Sequence, residues 1–290
     1  MASPAAWVGG ARPRTLPAAL APVAVGSGVA AHLDSFGLGA ALLALLVAVA
    51  FQVGVNYHND YSDGVKGTDD RRVGPVRLVG QGLATARSVK SAAIGAFVVG
   101  AVAGLALTVL SQQWWLVPAG IASVLAGWFY TGGPRPYGYA GFGELFVFVF
   151  FGLVAVVGTA AAQIGSITWL AVVASVPVGL WACAILIANN LRDIPTDTEA
   201  GKNPLAVRLG DRRTRTLFVA VVIVGFLIVL AMVVVTPWVL LGLVGLIPAA
   251  RPLSTVRSGA TGVALVPALA GTGVTLLVGG LGLALGLAVG

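Results

Sequence analysis

Only 9% of the 290 residues are charged, 58% are hydrophobic and another 40 are glycine, whereas about a quarter of a soluble domain is charged. A soluble protein cannot clothe its surface with so few charges. This excludes an ordinary soluble enzyme, and the lone Cys183 excludes a disulfide scaffold or a cysteine metal cluster. What remains is an all-α polytopic membrane protein, expected as a single integral-membrane domain over 1–290. Its net charge of +7 suits basic cytoplasmic loops better than nucleic-acid binding.

A membrane-spanning helix needs about 20 mostly apolar residues, and the breaks between apolar runs predict nine spans. The first, 15–31, follows Arg12-Pro13-Arg14-Thr15-Leu16-Pro17. The second, 38–60, leads into Asn56, Asn59, Asp60 and Asp63. Their spacing of i, i+3, i+4, i+7 makes one stripe of carboxylate and amide oxygens on a helix. A polar segment with Lys66, Asp69, Asp70, Arg71, Arg72 and Arg77 follows. Spans 88–110 and 113–130 are divided at Ser111-Gln112-Gln113, and a loop from Tyr130 to Tyr139 carries Arg135 and Tyr137. The span at 142–162 opens with Glu144, whose charge is accounted for by stabilising a helix start. The span at 168–190 runs into Asn189, Asn190, Asp193 and Asp197, with Lys202 and Arg208 beyond. Pro195 is expected to kink or end that helix. The last spans are 213–235, 236–251 and 262–289.

The basic residues test this count. With nine spans, the N-terminus and the loops after the second, fourth, sixth and eighth carry two, six, one, six and two Lys or Arg, which is all 17. The opposite side carries none, which by the positive-inside rule puts the N-terminus and the acid-bearing loops in the cytoplasm.

Eight of the ten acids fall in the loops after the second and sixth spans. Acids near a membrane are expensive and default to function. Crowding raises their pKa unless a cation is present. Oxygen ligands without His or Cys suit Mg²⁺ or Ca²⁺. Lys and Arg interleaved with such acids describe a site for a diphosphate and its metal. The same charges also suit interfacial ion pairs, which is the preferred reading for Lys90, Arg212, Arg213, Arg215, Arg251 and Arg257. A cation-coupled transporter is a competing class, but transporters place such acids near the bilayer midplane. Asp60-Tyr61-Ser62-Asp63-Gly64 also matches part of a phosphatidyl-transferase motif, whose remaining acids are not nearby.

The segments Asn56-Tyr57-His58-Asn59-Asp60-Tyr61-Ser62-Asp63, Tyr130-Thr131-Gly132-Gly133-Pro134-Arg135-Pro136-Tyr137-Gly138-Tyr139 and Asn189-Asn190-Leu191-Arg192-Asp193-Ile194-Pro195-Thr196-Asp197 give the whole chain a family likeness. With the opening Arg12–Pro17 segment, it resembles the UbiA-type intramembrane prenyltransferases. Gly67-Thr68-Asp69-Asp70, Gly74-Pro75-Val76-Arg77-Leu78-Val79 and Ala200-Gly201-Lys202 are most similar to the branch that prenylates 1,4-dihydroxy-2-naphthoate in menaquinone biosynthesis. The resemblance implies nine transmembrane helices around a central cavity, with Mg²⁺ as cofactor. It implies polyprenyl diphosphate and 1,4-dihydroxy-2-naphthoate as substrates, with CO₂ lost and demethylmenaquinone formed. Acceptors such as 4-hydroxybenzoate or homogentisate belong to the same superfamily. On this reading Asp60, Asp63, Asp193 and Asp197 are catalytic and bind metal, helped by Asn56 and Asn190. Lys66, Arg72, Arg77, Arg135 and Lys202 are diphosphate candidates, and Tyr130, Tyr137 and Tyr139 are expected to face the allylic cation. Arg14 is a partner for the acceptor carboxylate or an anchor of the first span. His58 faces away from the acid stripe and is expected to have no catalytic part. The implied location is a bacterial plasma membrane.

Overall fold

The computed structural model describes residues 2–67 and 76–290. Among them every regular element is helical. Helix α1 (Pro4–Gly10) is short and is capped by Ser3, whose hydroxyl accepts from the Ala6 N–H. A single 3₁₀ turn at Pro13–Thr15 leads to α2 (Pro17–His32), and the chain bends by 50° between the two parts. Proline stands near the start of each of these three pieces, where its missing N–H costs nothing and its fixed φ favours the first turn.

The other helices are α3 (Leu38–Val65), α4 (Ala86–Ser111), α5 (Leu116–Thr131), α6 (Gly143–Ile164), α7 (Trp169–Glu199), α8 (Leu205–Val234), α9 (Pro237–Arg257) and α10 (Gly262–Val289). Each of the nine expected apolar segments falls on one of α2–α10. Their qualification as full spans is narrower. Among the described residues seven helices are long and apolar enough to cross a membrane, and the bent pair ending in α2 would make eight. Helix α5 has only 16 residues, short of the length a perpendicular span needs.

Two boundaries matter for the site. Helix α3 runs five residues beyond its expected end and α7 runs nine, so the Asn/Asp groups lie on helices and not in loops. Pro195 sits inside α7 without ending it. In α8 the expected start at 213 is replaced by a turn over 205–209 and a break at Gly210, where φ is +74°. Only a residue without Cβ adopts that conformation at no cost.

Part of the main core lies where α7, α8 and α10 meet. Trp181 is fully buried, packs 4.7 Å from Phe226 and donates its indole N–H to the Val222 carbonyl at 3.2 Å. Gly225 and Gly279 face the indole, where any Cβ would collide with it. Gly28 of α2 likewise meets the α10 backbone at Ala284. Small residues let helices approach closely where lipid supplies no hydrophobic drive. In the middle of α6, Phe148–Val154 forms π turns, wider than α turns and frequent beside functional sites.

Candidate active site

The C-terminal ends of α3, α5 and α7 converge on the turn at Pro13–Thr15. They enclose a polar cavity of about 210 Å³ lined by Asp63, Asp197, Arg12, Arg77, Lys202 and Tyr139, among others. A second cavity of about 570 Å³ extends between α2, α3, α4, α5 and α6 and is almost wholly apolar. Gln52, Asn59, Tyr130 and Phe151 line both. A charged chamber and a greasy one therefore share a wall.

The acid stripes divide by contact. Asp63 accepts a hydrogen bond from the Tyr139 hydroxyl, and Lys202 Nζ lies 3.7 Å from the same oxygen. Lys202 also stands 4.5 Å over the Tyr139 ring and is itself buried. It gets there because α7 stops at Ala200 and Gly201 turns the chain at φ +69°. The Lys202 N–H then returns to the Asp197 carbonyl at 2.8 Å. Asp60 behaves differently. It is wholly buried, and its two oxygens accept the backbone N–H groups of Leu78 and Val79 at 2.7 and 2.9 Å. Asp193 is gripped by Arg192, with Nε and Nη2 each 2.7 Å from a carboxylate oxygen, the two-pronged geometry that makes such pairs strong. Neither Asp60 nor Asp193 lines the polar cavity.

The other expected residues spread likewise. Asn190 lines the polar cavity and donates to Glu144 Oε1 at 3.0 Å. Glu144 therefore braces the second stripe as well as opening α6. Asn56 lines the apolar cavity and donates to the Ala11 carbonyl and the Thr15 hydroxyl, both at 2.9 Å. Lys66 reaches the carbonyls of Thr131 and Gly133 at 2.6 and 3.2 Å, clamping the end of α5 outside the cavity lining. Burial pushes its ammonium pKa down, against the pull of Asp63, and Lys202 pushes it down further. Arg135 is exposed, and Arg72 lies outside the described residues. Tyr130 lines both cavities. Tyr137 lines the apolar one, stacks on Phe146 at 4.0 Å and donates to the Ala126 carbonyl at 2.8 Å. Burial pushes its phenol pKa up. His58 is buried against Trp128 and away from both linings.

Several polar residues of the lining fall outside the expected site set. Arg12, not Arg14, lines the polar cavity, and Asn59 and Asn189 join it. The two asparagines were visible as members of the stripes. Arg12 had no such signal, because its aim depends on a left-handed backbone (φ +54°) at a non-glycine position.

Asp63, Asp197 and the amide oxygens beside them form an all-oxygen donor set, which fits Mg²⁺. Among the described residues no three His, Cys, Asp or Glu side chains gather into a ready-made cage. Mg²⁺ typically takes one or two carboxylates and completes its shell with water and substrate phosphate.

The model of the UbiA prenyltransferase family matches residues 19–261. The chain belongs to that family. Among its relatives, the 1,4-dihydroxy-2-naphthoate octaprenyltransferase of Mycobacterium tuberculosis is 53% identical over 290 residues, covering 100% of this chain and 99% of the relative. The Escherichia coli protein of the same name is 40% identical over 78% of this chain and 75% of its own length. A solved UbiA homolog from Archaeoglobus fulgidus, bound to GPP and Mg²⁺, shares the fold with a TM-score of 0.67. It has 15% identity and covers 96% of this chain and 99% of that one.

Proposed function

We propose that this family member transfers a polyprenyl group from polyprenyl diphosphate to 1,4-dihydroxy-2-naphthoate, with loss of CO₂, yielding the quinol form of demethylmenaquinone for menaquinone biosynthesis. The observation that carries this reading is the junction of the two cavities. A diphosphate head fits the chamber holding Arg12, Arg77, Lys202, Asp63 and Asp197, and its prenyl tail fits the apolar chamber that shares Asn59 and Tyr130. Full-length likeness to enzymes named for this acceptor supports the choice of ring.

In the reaction the allylic C–O bond breaks and the diphosphate leaves with the electron pair. A ring carbon of the acceptor then bonds the allylic carbon, and the acceptor carboxylate departs as CO₂. Mg²⁺, when bound, neutralises charge growing on the leaving diphosphate. Asp63, Asp197 and Asn190 would hold it. Asp60, Asp193 and Asn56 support from behind by tying down the 78–79 backbone, Arg192 and the Ala11–Thr15 turn. Lys202, Arg77 and Arg12 face the diphosphate oxygens, and Lys66 shapes that wall by holding the end of α5. Fixed cations in a water-poor chamber are worth more than in bulk water. Tyr130 and Tyr139 present ring faces where the allylic cation develops.

We read 1–290 as one integral-membrane domain, with all nine helices α2–α10 in a bacterial plasma membrane. The N-terminus and the polar cavity face the cytoplasm, which the one-sided placement of the basic residues supports. The test is mass spectrometry of products formed from one polyprenyl diphosphate and a panel of hydroxynaphthoate, hydroxybenzoate and homogentisate acceptors. The expected result is the quinol of demethylmenaquinone from the naphthoate, recovered as the quinone after oxidation by air, lost with EDTA and restored by Mg²⁺. A product from another acceptor alone would move the protein to a different branch of the family.

A further inference from the structure

Thr15, at the end of the turn between α1 and α2, has its hydrogen bonds fully used. Its one proton goes to the Arg12 carbonyl at 2.9 Å. Its oxygen accepts an N–H of the Gln52 amide at 2.8 Å and an N–H of the Asn56 amide at 2.9 Å. A hydroxyl has one donor and two acceptor places, so nothing is left over. This fixes which way the Gln52 amide is turned. With its ends exchanged, its oxygen would face the Thr15 oxygen with no proton between them.

Gln52 Oε1 therefore points away from Thr15, where it is buried and has no hydrogen-bond partner. A buried acceptor without a donor is costly and rare in a native structure. The residue is only 7% exposed, stands one turn before Asn56 on α3, and lines both chambers together with Phe151. The last torsion of a glutamine is broad, so the oxygen turns toward a donor in either chamber with a small movement.

The polyprenyl donor offers nothing to that oxygen, because its tail is hydrocarbon and an ionised diphosphate carries only acceptors. The naphthoate carries two hydroxyls. The one at C1 lies beside the carboxylate and hydrogen-bonds to it within the molecule, whereas the one at C4 is free to donate. The position fits as well. The allylic carbon is where diphosphate head and prenyl tail join, so it belongs at the wall the two chambers share, and the ring must come to that wall to be prenylated.

We propose that Gln52 Oε1 accepts the C4 hydroxyl of the naphthoate, holding the ring at the shared wall and selecting acceptors that carry this group. This rests on the reading of the acceptor as 1,4-dihydroxy-2-naphthoate. It adds the residue that reads the second hydroxyl.

The test is anaerobic titration calorimetry on the full-length protein in nanodiscs, with Mg²⁺ and an unreactive thiodiphosphate analogue of the donor. Two ligands are compared: 1,4-dihydroxy-2-naphthoate, and 1-hydroxy-2-naphthoate, which lacks only the C4 hydroxyl. Wild type is expected to bind the first about tenfold more tightly or better, as sites built around a substrate hydroxyl do. Gln52→Met keeps the length of the side chain and removes the oxygen, so the two affinities should come within about twofold of each other. Gln52→Glu keeps an acceptor oxygen and should retain the preference. If Gln52 only held Thr15 in place, Gln52→Met would weaken both ligands together and leave their ratio at the wild-type value, which overturns the proposal. Equal binding of the two ligands by wild type also overturns it, and needs no variant. If wild type binds neither naphthoate, the acceptor reading itself fails and the inference falls with it.

Discussion

Tyr139 links two charged groups of the polar chamber, because its hydroxyl donates to Asp63 while its ring lies under Lys202. Tyr139→Phe keeps the ring and removes only the donor. A hydrogen bond to a charged group contributes about 1.5–3 kcal/mol to stability, so the melting temperature should fall by a few degrees and kcat/KM for prenyl transfer should drop about tenfold or more; wild-type kinetics would show that the hydroxyl is idle. Asp60 has a different task, holding two backbone N–H groups at once. Asp60→Asn supplies one acceptor and turns an NH₂ toward the other N–H. The segment after it should open more often, and tryptic cleavage at the buried Arg77 should quicken severalfold, read by gel time courses. The stripe that contains both acids was legible from spacing alone. Their division of labour was not, because it depends on residues 78–79 folding back onto α3 and on Tyr139 and Lys202 reaching Asp63, neither of which spacing encodes.

Helix ends decided where those acids stand. The expected boundaries followed hydropathy, which falls at Asn56 and at Asn189, while the backbone hydrogen-bond ladder runs on to Val65 and Glu199. Polar residues continue a helix where a cavity and neighbouring side chains satisfy them, and hydropathy does not register that. Pro195 shows the same thing, since losing one ladder bond is tolerated in a helix packed on several sides. The α7–α8 contact carries its own prediction. Gly225→Ala gains helix propensity of about 1 kcal/mol but drives a methyl into the Trp181 indole, where overpacking costs about 1–3 kcal/mol. Its melting temperature in detergent should drop by a few degrees, and a rise would mean that the indole moves aside freely.

On the scale of the molecule, composition and the one-sided basic residues were enough to indicate a helical membrane protein. They predict nine spans, of which seven helices qualify by length and composition among the described residues, or eight with the bent N-terminal pair, α5 being short. Cys183 is the only cysteine and is buried in the core, so single cysteines report topology without background. A cysteine at exposed Arg135 should react with an impermeant maleimide only from the cytoplasmic side, and one at exposed Trp169, the first residue of α7, only from the other. Reaction of both from one side would overturn the orientation. The π turns of α6 carry a further consequence, for length variation rather than for substitution. Removing one residue between Phe148 and Val154 would let the stretch relax to regular α geometry. The flanking turns would keep nearly their present facing, because the wider π turns already absorb one extra residue. Glu144 would stay beside Asn190 and Phe146 beside Tyr137, so a relative one residue shorter in this stretch can keep that wall of its chamber and lose only the widened turns.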